Sequence, residues 1–298
     1  MKKFISILTI FFIFTSTSVY ADVKGKALDE LSSKISETVA RLVPGEGLTE
    51  ASIELRDNNE GTGNYQFNIL GVRDIMSEEN SNLFTQFSFH TQEIESDQRI
   101  IGNLGFGYRF LNLDQSMMFG ANTFLDQDIS EGHQRIGFGL ESKASILDFS
   151  FNQYQKTTNQ KVITGTKEQV LSGSEYNIAS QIPYMPWTIF NYQGYRMENE
   201  KAANDSKGNI YSLEMLLTPS LMFNIEKDNS SVDGQKDQHN YELVFSYPPK
   251  TNKSSLVDGF TSEVAFEKKN MQETLKDKVR RNNNLTVEIQ GAVVVTRK

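Results

Sequence analysis

Residues 99–110 read RIIGNLGFGYRF, and this stretch decides the fold. Its even positions carry Ile, Leu, Phe and Tyr with one Gly, whereas its odd positions carry Arg, Asn and Gly, with Ile101 as the exception. Residues 134–143 (QRIGFGLESK) show the same alternation. A period of two places apolar side chains on one face of an extended strand and polar side chains on the other. Both stretches therefore predict β-strands with one apolar face and one polar, glycine-rich face.

The same period continues from about residue 49 to residue 250 and defines about twelve strands. The predicted strands lie near residues 50–57, 65–75, 81–94, 98–111, 116–128, 134–143, 146–155, 170–182, 187–197, 209–218, 221–228 and 239–248. Many have the length that a tilted strand needs to cross a bilayer. A soluble sandwich also alternates, but a polar face dense in glycine and in charges of both signs favours a crowded, hydrated lumen. The pattern predicts an all-β transmembrane fold, an antiparallel outer-membrane β-barrel of about twelve strands, in contact with outer-membrane lipid.

The connections between these strands alternate in length. Short connections lie at residues 76–80, 112–115, 144–145, 183–186 and 219–220, and longer polar ones at residues 156–169, 198–208 and 229–238. Short periplasmic turns and longer extracellular loops are typical of outer-membrane barrels. An even number of strands places both ends of the predicted barrel, residues 49–250, on the periplasmic side.

The first 21 residues have the three parts of a secretory signal peptide. Lys2 and Lys3 precede an apolar run at residues 4–14, and Val19 and Ala21 stand at the positions of a cleavage site. The apolar run is too short to cross a hydrocarbon core, which needs about 20 residues. We therefore predict export, cleavage after residue 21 and localisation in the bacterial outer membrane.

Two helices are expected in the segments before and after the barrel strands. Residues 22–48 contain apolar residues at spacings of three and four, which predict an amphipathic periplasmic helix. After the barrel, residues 251–298 form a linker, a helix at 264–281 with a narrow apolar stripe, and a short strand. The second helix is too polar for lipid, so we predict that it enters the lumen. The residues assigned to this lumen helix are Met271, Leu275, Lys276, Arg280 and Arg281.

Charged residues on the polar faces are predicted to meet inside the barrel. The candidate luminal residues are Arg99, Arg109, Asp126, Asp128, Arg135, Glu141, Asp148 and Glu242. Asp126 and Asp128 share one face of a strand, and a carboxylate pair is also compatible with acid–base chemistry. That chemistry requires a partner base or a water-activating metal. We interpret the pair as part of the luminal electrostatics, together with Arg135.

Neither the composition nor the spacing of reactive residues indicates an enzyme. The chain has no Cys, which excludes disulfides and thiolate chemistry, and its three His residues show no spacing typical of a metal site. No catalytic residue, cofactor or metal site is therefore assigned. The net charge of −8 argues against a nucleic-acid partner.

Three stretches resemble a known family, the inverse autotransporters of the intimin and invasin class. Residues 104–110 (LGFGYRF) lead into residues 118–140 (MFGANTFLDQDISEGHQRIGFGL), which resemble the family signature. Residues 53–68 resemble its first hairpin, and residues 275–288 (LKDKVRRNNNLTVE) resemble the segment that follows its barrel. The likeness extends over roughly residues 45–290 and is weaker between residues 157 and 240.

The resemblance implies a twelve-stranded barrel that anchors the chain, with a post-barrel segment that threads the pore and carries a passenger to the cell surface. It also implies handling by periplasmic chaperones and the barrel-assembly machinery. Only eight residues follow Gln290, so we expect a translocator barrel without its own passenger, and a passenger encoded separately is one possible partner. The alternative is a small outer-membrane porin or a plugged channel for solutes.

Overall fold

The computed structural model describes residues 18–41, 43–57, 64–94, 97–202, 204–230, 237–289 and 292–294. Within these ranges, every helix is too short or too polar to span a membrane. The predicted signal peptide falls largely on residues 1–17, outside the described residues, and it stays a prediction.

Twelve antiparallel strands form a closed barrel, as the alternation predicted. They are β1 (Thr49–Asp57), β2 (Asn64–Ser77), β3 (Ser81–Ile94), β4 (Asp97–Leu111), β5 (Met117–Asp128), β6 (Gln134–Ala144), β7 (Leu147–Lys156), β10 (Gly173–Ile182), β11 (Met185–Met197), β12 (Ser206–Thr218), β13 (Leu221–Ser230) and β14 (Gln238–Tyr247). The first and last strands close the barrel, with Thr49 opposite Tyr247 and Asp57 opposite His239. Closure pairs the backbone N–H and C=O groups at the two edges of the sheet, for which a bilayer offers no hydrogen-bond partners.

The two faces of each strand differ as the period of two requires. On β4, Leu104 and Phe106 are exposed on the outer surface, whereas Arg99, Asn103 and Arg109 are buried in the lumen. The five connections predicted to be short, such as residues 145–146 and 183–184, lie at one end of the barrel, which we call the turn end; the close connection from Ile94 of β3 to Asp97 of β4 is at the other end. The opposite end is called the loop end.

A small sheet covers the loop end, and only the short strand near the end of the chain was expected from the sequence. Strands β8 (Lys161–Ile163) and β9 (Thr166–Val170) form a hairpin within the long connection after β7. They join β15 (Val287–Ile289) and β16 (Ala292–Val294) in the order β16-β15-β9-β8. The missed signal is the dipeptide Thr164–Gly165, whose φ angles of 51° and 86° suit a two-residue hairpin turn.

Helix α1 (Ser18–Ala40) packs against the turn end. The Ser32 hydroxyl lies 2.8 Å from the Thr218 hydroxyl, and the Ser36 hydroxyl donates to the Ser220 carbonyl at 3.4 Å. Both contacts are made at the turn between β12 and β13. Predicted cleavage after residue 21 would leave these contacts in place.

The predicted helix over residues 264–281 is wrong. Only one helical turn forms there, α2 (Met271–Thr274), and residues 275–286 after it are turns, bends and irregular chain without a regular helix or strand. The physical reason is that the barrel wall satisfies the backbone carbonyls that a helix would pair internally. Side chains of the wall donate to the carbonyls of Leu275, Asp277 and Arg280. These carbonyls are therefore paired without the hydrogen bonds of a helix.

Candidate functional site

The chain after β14 first follows the rim of the turn end, and we call residues 248–270 the rim segment. The Lys250 amide donates to the Pro219 carbonyl at 2.7 Å, beside the turn between β12 and β13. Ser262 and Ala265 exchange backbone hydrogen bonds with Tyr184, at the turn between β10 and β11. The Lys269 amide then donates to the Ser145 hydroxyl at 3.0 Å, beside the turn between β6 and β7. The rim segment thus passes three successive turns before it enters the lumen.

The entry point is apolar. Met271 and Leu275 pack against Leu111 and Met118, from the ends of β4 and β5. The Asn82 side-chain amide donates to the Leu275 carbonyl at 3.1 Å. From this point the chain lies inside the barrel, and we call residues 275–286 the luminal segment.

Asp126 is the centre of the strongest contact between the luminal segment and the wall. Its carboxylate accepts from both terminal nitrogens of Arg281, at 2.9 and 2.6 Å, and from Arg135 Nε at 2.7 Å. Asn103 donates to it at 2.7 Å. The Asp126 and Arg135 side chains are fully buried and Arg281 nearly so, so the charges are compensated by one another and not by water.

Aromatic rings on the wall support the arginine side chains. Arg281 lies over the Phe124 ring at 4.2 Å, and Arg109 lies over the Phe84 ring at 4.2 Å. Gly105 provides the room for Phe124, because a Cβ at Gly105 would lie only 2.4 Å from that ring. These are cation–π contacts in a desolvated setting, where they are strongest.

The neighbouring residue, Arg280, binds the other side of the barrel. Its guanidinium donates to both oxygens of Glu214 on β12, whereas Arg281 binds Asp126 on β5. β12 and β5 are five strands apart in the order of the twelve-stranded barrel. The two arginines therefore attach the luminal segment to opposite walls.

The residues on either side of this pair are also bound by the wall. The Asn282 amide lies within hydrogen-bond distance of the Tyr154 hydroxyl and of Glu175, at 3.0 and 2.8 Å. Nearer the turn end, Lys278 donates to Glu50 at 2.6 Å, and Asp277 accepts from Lys143 at 2.8 Å. The middle of the luminal segment, residues 277–282, is thus held mainly by charged or polar contacts.

The loop end is closed by apolar packing. Leu285 exchanges hydrogen bonds with the Gln92 side chain, at 2.7 and 2.9 Å. Six buried apolar residues then form a cluster: Ile94, Ile101, Val170, Leu285, Val287 and Ile289. Ile101, which breaks the alternation of β4, therefore marks the place where the end of the luminal segment packs.

Two carboxylates fix the small sheet above this cluster. Glu288 on β15 accepts backbone hydrogen bonds from residues 200, 201 and 202, at 3.0, 2.8 and 2.7 Å. Glu168 on β9 accepts from Arg99 at 2.8 Å, and His133 Nε2 lies 3.2 Å from it. Burial alone would raise the pKa of Glu168, but the hydrogen bonds from His133 and Arg99 lower it to about 2.

The luminal residues predicted from the sequence have three kinds of partner: another predicted residue, the rim segment, or a side chain on a neighbouring strand. The structure pairs Arg99 with Asp128, Arg109 with Glu141, and Arg135 with Asp126. Asp148 binds Lys269 of the rim segment at 2.8 Å, and Glu242 accepts from Asn224 at 2.9 Å.

Of the five residues assigned to a lumen helix, Met271 begins the single helical turn, and the other four lie on turns or irregular chain after it. Met271 and Leu275 are buried at the entry point, and Arg280 and Arg281 bind the walls. Lys276 is 62% exposed and reaches Asp74 at 3.1 Å.

Several residues of the site were not identified from the sequence. They are Glu50, Phe84, Phe124, Tyr154, Glu168, Glu175, Glu214, Asp277 and Glu288. For Phe124 and Tyr154, position in the alternation was a usable signal, because they share parity with the assigned Asp126 and Asp148 on the same strands. Across the described ranges, no group of three or more His, Asp and Glu side chains is placed to hold a metal ion. The arrangement is suited to holding an extended polypeptide.

Comparison with known proteins gives a consistent family. The sequence profile "Inverse autotransporter, beta-domain" matches residues 14–283. The chain is 34% identical over 107 residues to a putative attaching and effacing protein homolog of Escherichia coli K12, which is 35% of each chain. It is 27% identical over 203 residues to invasin of Yersinia enterocolitica, covering 65% of this chain and 24% of invasin. The inverse autotransporter adhesin YeeJ of E. coli K12 is 26% identical over 285 residues, covering 87% of this chain and 12% of YeeJ.

One solved structure, from a study of the in-meso crystallization of membrane proteins, has a TM-score of 0.64. It is 20% identical and covers 82% of this chain and 100% of its own, so it supports the fold alone. The chain spans about a third or less of the relatives named above. The profile match extends over most of the sequence and agrees with the closed twelve-stranded barrel. This outer-membrane barrel therefore belongs to the inverse autotransporter β-domain family.

Proposed function

We propose that the barrel is a translocator and anchor, which holds a polypeptide across the outer membrane. The observation that carries the proposal is the course of the luminal segment, from an apolar entry at the turn end to a sheet at the loop end. At no more than about 3.3 Å per residue, the twelve residues 275–286 can reach up to ~40 Å. That length exceeds the ~30 Å of a hydrocarbon core.

The direction of the thread follows from the ends of the barrel. Short turns face the periplasm and long loops face outside in barrels of this type. The luminal segment then enters from the periplasm, and β15 pairs with β9 at the cell surface. A polypeptide joined after residue 298, or a separate passenger that binds this small sheet, would stand outside the cell.

A reporter fusion tests export directly. An unstructured epitope is joined after Lys298 of the full chain, and intact cells are stained with an antibody and then treated with protease. We expect staining without permeabilisation and loss of the epitope to external protease. An epitope that is detected only after permeabilisation, on a barrel that has folded, contradicts the proposal.

A solute channel is the second candidate. The luminal segment opposes it, because the segment occupies the lumen and is bound on opposite walls. Planar-bilayer recordings separate the two functions. We expect the full chain to stay closed and a chain that ends at Lys250 to conduct; a stable, large conductance of the full chain would favour the channel.

A further inference from the structure

We propose that the rim segment is itself a membrane-binding element, with Phe260, Val264 and Phe266 inserted into the lipid interface at the turn end of the barrel. The partner is the boundary between phospholipid headgroups and acyl chains. This inference concerns the rim, and it does not depend on whether the barrel exports a polypeptide.

The first observation is the exposure of large apolar side chains in an otherwise polar segment. Phe260 is 60% exposed and Val264 is 54% exposed, and Phe266 and Val257 are also exposed. The turns beneath the rim segment expose apolar residues as well, including Tyr184. Aromatic side chains with this placement are typical of the interfacial belts of membrane proteins.

The second observation places the rim segment on the outer side of the barrel mouth. Leu256 packs against a cluster that contains Met215, Leu217 and Leu221. Met215 and Leu217 flank the luminal positions of β12 and face outward, since Glu214 binds Arg280 in the lumen. The rim segment therefore begins against the outer wall of the barrel, over residues that Leu28 of helix α1 also covers.

Trp187 connects Phe260 to that same surface. The indole Nε1–H of Trp187 donates to the Phe260 carbonyl at 2.9 Å, and the two rings lie 5.5 Å apart. Trp187 belongs to the cluster with Met215 and Leu217. The exposed Phe260 ring thus continues the apolar outer surface of the barrel, and lipid is the occupant that such continuity favours.

The composition of the chain permits a direct test, because it contains no Cys. Phe260→Cys is labelled with a nitroxide in the full-length protein, reconstituted in phosphatidylcholine vesicles. Two control positions bracket the result. Phe138→Cys lies on the outer wall, where the residue is 58% exposed, and Val162→Cys lies on the loop-end hairpin, where it is 67% exposed.

Accessibility to oxygen, which concentrates in lipid, and to a water-soluble nickel complex decides the question. We expect the label at position 260 to show at least a threefold higher ratio of oxygen to nickel accessibility than the label at position 162. A ratio equal to that at position 162 overturns the proposal, and it is also the result expected if a protein partner is the natural occupant. Val264→Cys gives an independent reading if Phe260→Cys lowers the yield of folded barrel.

Discussion

Arg281→Met removes the central contact between the luminal segment and the wall, and its effect can be worked from the structure. Arg281 gives two charge-assisted hydrogen bonds to Asp126, at 2.9 and 2.6 Å. Each such bond contributes about 1.5–3 kcal/mol. Asp126 keeps Arg135 and Asn103 as partners, so the carboxylate is not left unpaired. We therefore expect a loss of about 3 kcal/mol, near the low end of the range for breaking a buried ion pair.

This loss of binding free energy shifts the equilibrium between a luminal segment that is bound in the lumen (seated) and one that is detached from the wall (unseated). Since 1.4 kcal/mol corresponds to a factor of ten, 3 kcal/mol raises the unseated population by roughly two orders of magnitude. The full-length variant, recorded in planar bilayers, should show openings far more often than the parent protein. Heat-modifiable gel mobility establishes that the barrel of each variant has folded.

Lys276→Met is the matched control on the same segment. Its amine is mostly exposed and reaches Asp74 at 3.1 Å. An exposed ion pair of this kind contributes about 0–1 kcal/mol. We expect this variant to behave as the parent. If Arg281→Met folds and stays as closed as Lys276→Met, the Asp126 network does not hold the segment, and the reasoning is refuted.

Three further changes test other parts of the molecule. Phe138→Arg places a charge on the lipid-facing wall at a cost of about 2–4 kcal/mol near the midplane, so heat-modifiable mobility should be lost, whereas Phe138→Leu should retain it. Gly105→Ala puts a Cβ 2.4 Å from the Phe124 ring; overpacking of this kind costs about 1–3 kcal/mol, and the lowered unfolding temperature should recover in the double variant with Phe124→Leu. The pKa of Glu168 is about 2 in the folded protein against an ordinary 4.5, so the carboxylate stabilises the small sheet fully above about pH 4.5. This stabilisation is lost as the pH falls toward about 2. Hydrogen exchange at residues 286–289 should rise through that window in the parent protein, and Glu168→Gln should remove the carboxylate-dependent part of the rise.

Much of the barrel could be predicted because its determinants are local. The alternation in residues 99–110 identified the outer and luminal faces of β4, and short connections marked the turn end. The pairing partners were less accessible. Arg281 and Asp126 are 155 positions apart in the chain, and no local pattern reports which luminal carboxylate a threaded arginine reaches. The alternation identified candidate luminal residues on the wall. It did not show which of them bind the luminal segment.

Glycines on the luminal face show the same division between local and distant causes. Their parity predicted that they line the lumen, and small residues there leave room for side chains from opposite. The sequence did not show which side chains those are. The structure shows that Gly105 accommodates Phe124, and that Phe124 supports Arg281. A glycine on one strand thus contributes to holding a residue that lies 176 positions later in the chain.

The error over residues 264–281 has a physical cause that also bears on function. In a helix, adjacent side chains are about 100° apart, whereas in an extended chain they are about 180° apart. Arg280 and Arg281 bind Glu214 on β12 and Asp126 on β5, which are on opposite walls. Residues 278–286 form no regular helix, and this irregular backbone lets the two adjacent side chains reach opposite walls. The apolar spacing suggested a helix, but the charges on the two walls select a non-helical chain that runs from the apolar entry at the turn end to the small sheet at the loop end.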